Sequence, residues 1–211
     1  MKDIRRKSAN EVASVLRARL DGIYEADKDT FEARAPFDNR FYRLQGSNGR
    51  SMHRILAQTT DWVMRRCHLP SNLSDYLKRN GKGAFEIEHI WADKPNQHSH
   101  EFDNAAEFYE HRNRIGGLLL LPKSFNAAFG AKTYEEKLPH YNGQNMLARA
   151  LTCSAYSNNP GFVALNAELQ HPFRPYKVFN RSALDDRQET MRQLSMLIWS
   201  PERLDLALST E

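Results

Sequence analysis

Two strings of residues decide the fold of this chain: F-E-I-E-H-I-W at 85–91 and R-I-G-G-L-L-L-L-P-K-S-F-N at 114–126. The alternation of apolar and polar residues in the first string predicts a short strand that ends at His89. The apolar run in the second string predicts a fully buried strand from Ile115 to Leu121, which Pro122 ends. We therefore expect the two strands to form one small hairpin that leads into a helix.

The side chains around this hairpin have types that suit the hydrolysis of a phosphate ester. An imidazole such as His89 has an ordinary pKa of ~6.5 and can take a proton from water at neutral pH. The carboxylate of Glu88 and the amide oxygen of Asn126 are ligands that a hard cation such as Mg²⁺ or Mn²⁺ accepts. Lys132 or Lys137, beyond the start of the helix, could hold the phosphate. This order of residues favours phosphodiester hydrolysis with a single divalent metal ion.

A structural role for His89 stays open on the residues alone. Strict alternation along the strand places His89 with Phe85 and Ile87 on the face expected to be buried. Glu88 would then point to the opposite face together with Glu86, unless the strand twists at its end.

The bulk composition favours a soluble globular protein. The chain has 211 residues, of which 40% are hydrophobic, and this is enough for one sizeable domain. Its two cysteines, Cys67 and Cys153, lie far apart in the sequence, which argues against a disulfide framework or a Cys-rich zinc site. No apolar run approaches the ~20 residues that span a bilayer, and no signal-peptide core follows the basic N-terminus. We expect no membrane contact and a cytoplasmic location.

The charge of the chain is distributed unevenly. The net charge is +4, but residues 1–80 hold 16 Lys and Arg against 10 Asp and Glu, whereas residues 81–211 hold 14 against 16. A basic N-terminal part suits a polyanion such as nucleic acid, although basic helices are also common as solvated surfaces. Arg112 and Arg114 directly precede the expected second strand and could contact phosphate, although a solvated helix end explains them equally well.

The remainder of the chain is expected to be mainly helical, and no segment is long enough to act as a linker between domains. This makes the fold class α+β, a mostly helical domain around one hairpin. We expect residues 1–80 to form a helical part that packs on a core of residues 81–211, the two making one compact domain. The clearest helical patterns are 10–24, a helix from Ser51, 101–112 and 184–199.

Several strings together resemble one nuclease family. I-E-H-I-W, R-N-R-I-G-G-L-L-L-L-P-K-S-F-N, Y-E-E-K-L-P-H-Y and Q-N-M-L-A-R are similar to the C-terminal nuclease domain of the GmrSD-type restriction endonucleases. That domain is an HNH-like member of the His-Me finger, or ββα-metal, nucleases. The resemblance extends from about Arg50 to Trp199, and it implies a mostly helical α+β domain that encloses a ββα-metal core.

The resemblance implies a role for each matching residue. His89 resembles the general base that activates water, and Glu88 resembles the acidic neighbour that binds or supports the metal ion. Asn126 resembles the helix residue that completes metal binding. Lys137 resembles the basic residue that meets the phosphate, and Arg114 could do the same.

The chain departs from the family pattern at one position of the site. The Asn that orients the general base in the family falls where this chain has Gly117. Asn113, four residues earlier, could replace it, or a backbone carbonyl could hold His89. The chain also lacks the four cysteines of the structural zinc site found in many HNH proteins, so the surrounding helices are expected to hold the core.

By resemblance, the chain is a Mg²⁺-dependent DNA endonuclease that nicks one strand and acts as the effector of a phage-defence restriction system. Its expected partner is an NTPase-like sensor, either as a domain outside this sequence or as a separate subunit, because no nucleotide-binding motif is recognisable here. The alternative is a catalytically weak or inactive module that binds DNA or a partner protein, and Gly117 favours it. A third hypothesis, a helical spacer, leaves E-H-I-W unexplained.

Overall fold

The computed structural model describes residues 4–27 and 42–199, which are mostly helical with one two-stranded sheet. This confirms the expected α+β class. In chain order the elements are α1 (Ala9–Asp27), α2 (Gly49–Arg66), α3 (Leu73–Tyr76), β1 (Phe85–His89), α4 (Ala105–Arg112), β2 (Leu118–Pro122), α5 (Lys123–Phe129), α6 (Tyr134–Tyr141), α7 (Met146–Arg149), α8 (Ala155–Asn158), α9 (Pro160–Glu168) and α10 (Arg181–Ile198). Short 3-10 helices lie at Pro95–His98 and Ile115–Gly117. None of the helices in the described ranges has the length and apolar character needed to cross a membrane.

The two strands pair in antiparallel register, with Phe85 opposite Pro122 and His89 opposite Leu118. α5 begins directly after β2 and packs against both strands. β1, β2 and α5 thus pack together as one strand–strand–helix unit. His89 lies at the end of β1, and Asn126 lies in the first turn of α5.

β2 is the centre of the core, and the prediction of a fully buried strand is confirmed, although β2 begins at Leu118 instead of residue 115. Its four leucines are at most 1% exposed. The strand starts late because Gly116 lies against the backbone of α10: a Cβ atom on Gly116 would come within 2.6 Å of Gln188 N and Leu184 O. Gly116 N also donates a hydrogen bond to Gln188 Oε1 at 2.6 Å.

The expected assignment of faces along β1 is wrong. Glu88 is the buried residue of this strand, at 3% exposure, whereas His89 and its other residues are half-buried. α5 packs on both strands, and Lys137 of α6 contacts Glu88. The contact with Lys137 pairs the buried Glu88 carboxylate, and the alternation of residues along the strand gives no sign of this distant partner.

The chain divides into two compact units. Arg43–Met191 form one unit, which contains the hairpin and every residue that the sequence assigned to the site. α1 and the end of α10 from Arg192 onward belong to the other. Within the first unit α2 is a central helix, because nine of its 18 residues are buried. The division expected near residue 80 stays a prediction.

Candidate active site

The His89 ring is held by Asn113, the residue that directly follows α4. Nε2 of His89 lies 2.9 Å from Oδ1 of Asn113. Because an amide oxygen only accepts hydrogen bonds, Nε2 carries the imidazole proton and Nδ1 keeps its lone pair. Among the described residues Nδ1 has no hydrogen-bond partner. His89 therefore has the tautomer and the unoccupied nitrogen that a proton acceptor needs.

The surroundings of His89 keep its imidazole uncharged. Burial lowers the pKa of His89 from 6.5 to about 4, and the positive charge of Arg112 adds to this shift. The hydrogen bond that His89 donates to Asn113 and the carboxylate of Asp93 both raise the pKa and so oppose this shift. The ring is therefore neutral at pH 7 and able to accept a proton. It is also a weaker base than an exposed imidazole.

Side chains on one face of α4 form hydrogen bonds with the segment that follows β1. Tyr109 Oη donates to Asp93 Oδ1 at 2.9 Å, and Arg112 Nε donates to the carbonyl of Trp91 at 3.2 Å. Tyr109, Arg112 and Asn113 follow the i, i+3, i+4 spacing that places side chains on the same side of a helix. The contacts with His89, Trp91 and Asp93 thus all come from this face.

Asp93 and Tyr109 are neighbours of the site that the sequence analysis missed. Asp93 raises the pKa of both His89 and Arg112, so its carboxylate lies within electrostatic reach of them. Two signals could have identified the pair: an acidic residue four positions after His89, and a tyrosine four positions before Asn113 on the same predicted helix.

Glu88 and Lys137 form a buried ion pair. Lys137 Nζ lies 2.6 Å from Glu88 Oε1, 2.8 Å from the carbonyl oxygen of His89 and 3.4 Å from that of Ile90. The side chain of Lys137 is 0% exposed and that of Glu88 is 4% exposed. Burial is the largest influence on both groups, raising the pKa of Glu88 and lowering that of Lys137, and the charge of each partner opposes the shift. In this position Lys137 does not reach a phosphate outside the protein.

Asn126 places an unsatisfied oxygen beside the same strand. Its Nδ2 donates to the carbonyl of Ile87 at 3.2 Å, which fixes the amide against β1. Its Oδ1 is buried and has no hydrogen-bond partner among the described residues. A buried acceptor without a partner costs free energy, so this position suits a ligand that the oxygen can meet.

The donor atoms at the site suit a small, hard cation. Besides Asn126 Oδ1, the second carboxylate oxygen of Glu88 has no hydrogen bond to any described residue. Mg²⁺ commonly takes one or two protein oxygens and completes its shell with water and substrate phosphate. Across the described ranges, no three His, Cys, Asp or Glu side chains are grouped so that they could hold a metal ion. These two oxygens are therefore the ones that could ligate a cation here.

Among the residues predicted to contact phosphate, Arg112 combines closeness to His89 with guanidinium nitrogens that are unpaired within the described ranges. Its Nε donates to Trp91, but its other guanidinium nitrogens have no hydrogen-bond partner among the described residues. Its charge acts on His89, Glu88 and Lys137. Arg112 can therefore present two nitrogens to an anion close to His89.

Arg114 and Lys132 are engaged elsewhere. Arg114 is 6% exposed and forms ion pairs with Glu110 at 3.0 Å and Asp185 at 3.1 Å. Lys132 Nζ lies 5.0 Å from the centre of the Phe129 ring. The structure brings neither residue into contact with His89, whereas it does bring together His89, Asn113, Glu88, Lys137 and, through the carbonyl of Ile87, Asn126.

Gly117 has a backbone function in the structure. Its carbonyl accepts a hydrogen bond from Ile90 N at 2.9 Å, which extends the hairpin beyond His89. A Cβ atom at this position would lie 3.0 Å from the carbonyl oxygen of Arg112. The close approach of Arg112 thus favours glycine at 117, and Asn113 provides the amide that contacts His89.

The sequence was compared with known families and proteins. Residues 46–194 match the family described as GmrSD restriction endonucleases, C-terminal domain. The chain belongs to this family. All elements that carry the predicted site residues, from β1 to α6, lie inside the matched range, and the resemblance to this family that the sequence indicated is confirmed. Neither the curated proteins nor the solved structures contain a match to the chain.

Membership in the GmrSD family defines the class of activity. It indicates a nuclease domain of the restriction-endonuclease type, and it implies DNA as the substrate. The buried hairpin with His89, Asn126 and Glu88 is thus the candidate centre of a phosphodiester hydrolase.

Proposed function

We propose that the chain is an HNH-type, metal-dependent DNA endonuclease that uses His89 as its general base. The observation that carries this proposal is the hydrogen bond from His89 Nε2 to Asn113 Oδ1, which leaves Nδ1 to accept a proton. The succession of β1, β2 and α5, with histidine on the strand and asparagine on the helix, supports a ββα-metal core.

In the proposed reaction, water gives one proton to Nδ1 of His89 as its oxygen attacks phosphorus. The bond from phosphorus to the 3′-oxygen breaks, and that oxygen takes a proton from solvent. Asn113 keeps the ring in the reactive tautomer and stabilises the imidazolium through its amide oxygen.

Asn126 and Glu88 would hold a divalent cation, Mg²⁺ or Mn²⁺. When bound, such a cation supplies Lewis-acid stabilisation of the charge that develops on the scissile phosphate and on the leaving oxygen. The protein contributes the orientation of its ligands: Ile87 holds the amide of Asn126, and Lys137 holds the carboxylate of Glu88.

We assign the contact with the scissile phosphate to Arg112. Its side chain lies close enough to influence His89, and two of its guanidinium nitrogens have no hydrogen-bond partner among the described residues. Planar guanidinium groups bind phosphate oxygens in pairs. Lys132 and Arg114 would serve more distant phosphates only after rearrangement.

One such site hydrolyses one strand, so a single chain would nick DNA and two chains would be needed for a double-strand cut. By its family, the chain would act in the cytoplasm as the effector of a restriction system against phage DNA. A sensor domain or subunit that hydrolyses a nucleotide would direct it to its target.

The test is conversion of supercoiled plasmid by the purified chain with Mg²⁺, Mn²⁺ or EDTA. We expect open circles with a divalent cation and none with EDTA. His89→Ala should abolish nicking and retain DNA binding. His100→Ala is the matched control, because this histidine is exposed and should leave activity unchanged. Equal nicking by wild type and His89→Ala would reject His89 as the base.

The second candidate is a DNA- or partner-binding module with a weak catalytic site, and it is favoured by the burial of the His89 ring beside Arg112, which lowers its pKa to about 4. A base with so low a pKa drives proton transfer poorly. This candidate predicts salt-sensitive DNA binding with no nicking under any cation, and no effect of His89→Ala on that binding.

A further inference from the structure

We propose that Lys137 is a positioning residue that fixes the catalytic end of β1, and that it does not contact the phosphate of DNA. The inference rests on the proposed nuclease function and refines it. An ammonium group has three N–H donors, and Lys137 Nζ has three acceptors: Glu88 Oε1 and the carbonyl oxygens of His89 and Ile90. No donor remains for a phosphate oxygen, and the side chain is 0% exposed.

The contacts of Lys137 hold Glu88 and His89, the two residues of β1 to which we assign a role in the reaction. The bond to Glu88 Oε1 orients the carboxylate, and the bond to the His89 carbonyl fixes the backbone from which the imidazole projects. Ile90 N is held from the other side by the carbonyl of Gly117 at 2.9 Å. The end of the strand is therefore fixed from two directions.

Lys137 lies on α6, and this helix fixes the position of its side chain. Its first turn has a complete capping box, in which Thr133 and Glu136 exchange side-chain and backbone hydrogen bonds. Tyr141, one turn beyond Lys137, is 0% exposed. The amine is thus placed by helix geometry, not by a flexible surface chain.

The burial of the pair supports a positional role. A buried ion pair is weak evidence for stability, because apolar residues of similar size often fold at least as well. The same strand offers an exposed pair for comparison: Lys123 Nζ lies 3.1 Å from Glu86 Oε1, and its side chain is 62% exposed. Only the pair with Glu88 also binds the backbone at His89.

The experiment compares Lys137→Met with Lys123→Met in two assays. DNA binding is measured in EDTA at several salt concentrations, and single-turnover cleavage is measured with Mg²⁺. We expect Lys137→Met to lower the cleavage rate constant by about 10- to 100-fold, as is usual for residues that orient metal ligands. Its DNA affinity and salt dependence should equal those of the wild type. Lys123→Met should match the wild type in both assays.

Two results would overturn the proposal. A phosphate contact would reduce the slope of log affinity against log salt by about 0.9 in Lys137→Met. An unchanged rate constant would show that the lysine does not position the site. A purely structural defect would lower the amount of active protein, and thus the amplitude of single-turnover cleavage, but not its rate constant.

A further variant covers a failure of Lys137→Met to fold, since that change leaves Glu88 buried without its partner. Glu88→Gln with Lys137→Met removes both charges, and its salt slope should equal that of the wild type. If this variant also failed to fold, the pair would be required for folding and the proposal would be rejected. If the wild type nicked no DNA, the proposed function would fail, while the salt slope would still decide whether Lys137 meets phosphate.

Discussion

The His89 imidazole is kept neutral, as a general base requires, but it has a low basicity, which slows proton transfer. Burial keeps the ring neutral by lowering its pKa to about 4, but the same burial reduces its basicity. The hydrogen bond with Asn113 and the carboxylate of Asp93 partly restore that basicity. Binding of DNA would bring a further negative charge close to the ring and raise its pKa towards the range in which an imidazole is an efficient base.

The low pKa of His89 predicts how stability depends on pH. Between about 6.5 and about 4 the unfolded imidazole binds a proton that the folded one does not, so the free energy of unfolding falls as pH is lowered through this window. At 1.36 kcal/mol per pKa unit, the loss is at most about 3 kcal/mol. Urea unfolding at pH 7 and pH 5 should show a smaller loss for His89→Gln than for the wild type.

The comparison of the variant with the wild type makes this pH prediction specific. Burial also lowers the pKa of His53, so only the difference between wild type and His89→Gln reports on His89. Identical losses for wild type and His89→Gln would mean that the folded imidazole titrates near its ordinary pKa.

At the scale of elements, local patterns predicted the apolar strand β2, the helix that begins at Lys123 and the amphipathic helix α10. They did not predict the environment of Glu88, because its partner Lys137 lies 49 residues away on a separate helix. The sequence could indicate a strand and its residue types. Which of its side chains are buried depended on contacts with helices that are distant in the sequence.

The same limit applies to Asn113 and Gly117. The resemblance implied an orienting asparagine at position 117, where this chain has a glycine that the carbonyl of Arg112 approaches. Asn113 reaches His89 because α4 ends at Arg112 and its last turn faces the end of β1. The possible replacement by Asn113 was visible in the sequence, but the choice between it and a backbone carbonyl required the helix end.

The packing of α10 on the turn before β2 predicts that Gly116→Ala is strongly destabilising. The new Cβ atom would lie 2.6 Å from backbone atoms of Leu184 and Gln188, and backbone atoms cannot move aside without shifting the helix. We expect a loss of about 1–3 kcal/mol in the free energy of unfolding. Gly143→Ala is the control, because its nearest neighbour, the carbonyl oxygen of His140, would be 3.9 Å away. Equal urea midpoints for the two variants would contradict this account of the Gly116 contact.

At the scale of the whole molecule, the positive charge lies in the unit that carries the site. Residues 43–80 hold seven Lys and Arg against two Asp and Glu, whereas residues 1–42 hold nine against eight. The excess therefore belongs to α2 and to the segment that leads into β1, inside the range that matches the GmrSD family. A polyanion drawn to this excess would reach the same unit that holds His89.

α2 contains two kinds of exposed arginine, which allows the role of this charge to be tested. Arg65 and Arg66 are paired with carboxylates, at 2.9 Å from Asp61 and 2.5 Å from Glu168. Arg50 and Arg54 are exposed, lie one turn apart, and form no ion pair with any described residue. An arginine without a carboxylate partner can bind phosphate without first breaking an ion pair.

We expect Arg50→Ala with Arg54→Ala to weaken DNA binding equally for all sequences, because contacts with phosphate carry no base information. The slope of log affinity against log salt should fall by about 1.8, the value for two lost phosphate contacts. The double variant of Arg65 and Arg66 removes the same charge and should change the slope less. Fluorescence anisotropy with a labelled duplex, in EDTA and over a range of salt, measures both. Equal changes in the two double variants would mean that α2 attracts DNA only through its overall charge. No change in either double variant would mean that these arginines form a solvated surface and that DNA binds elsewhere on the protein.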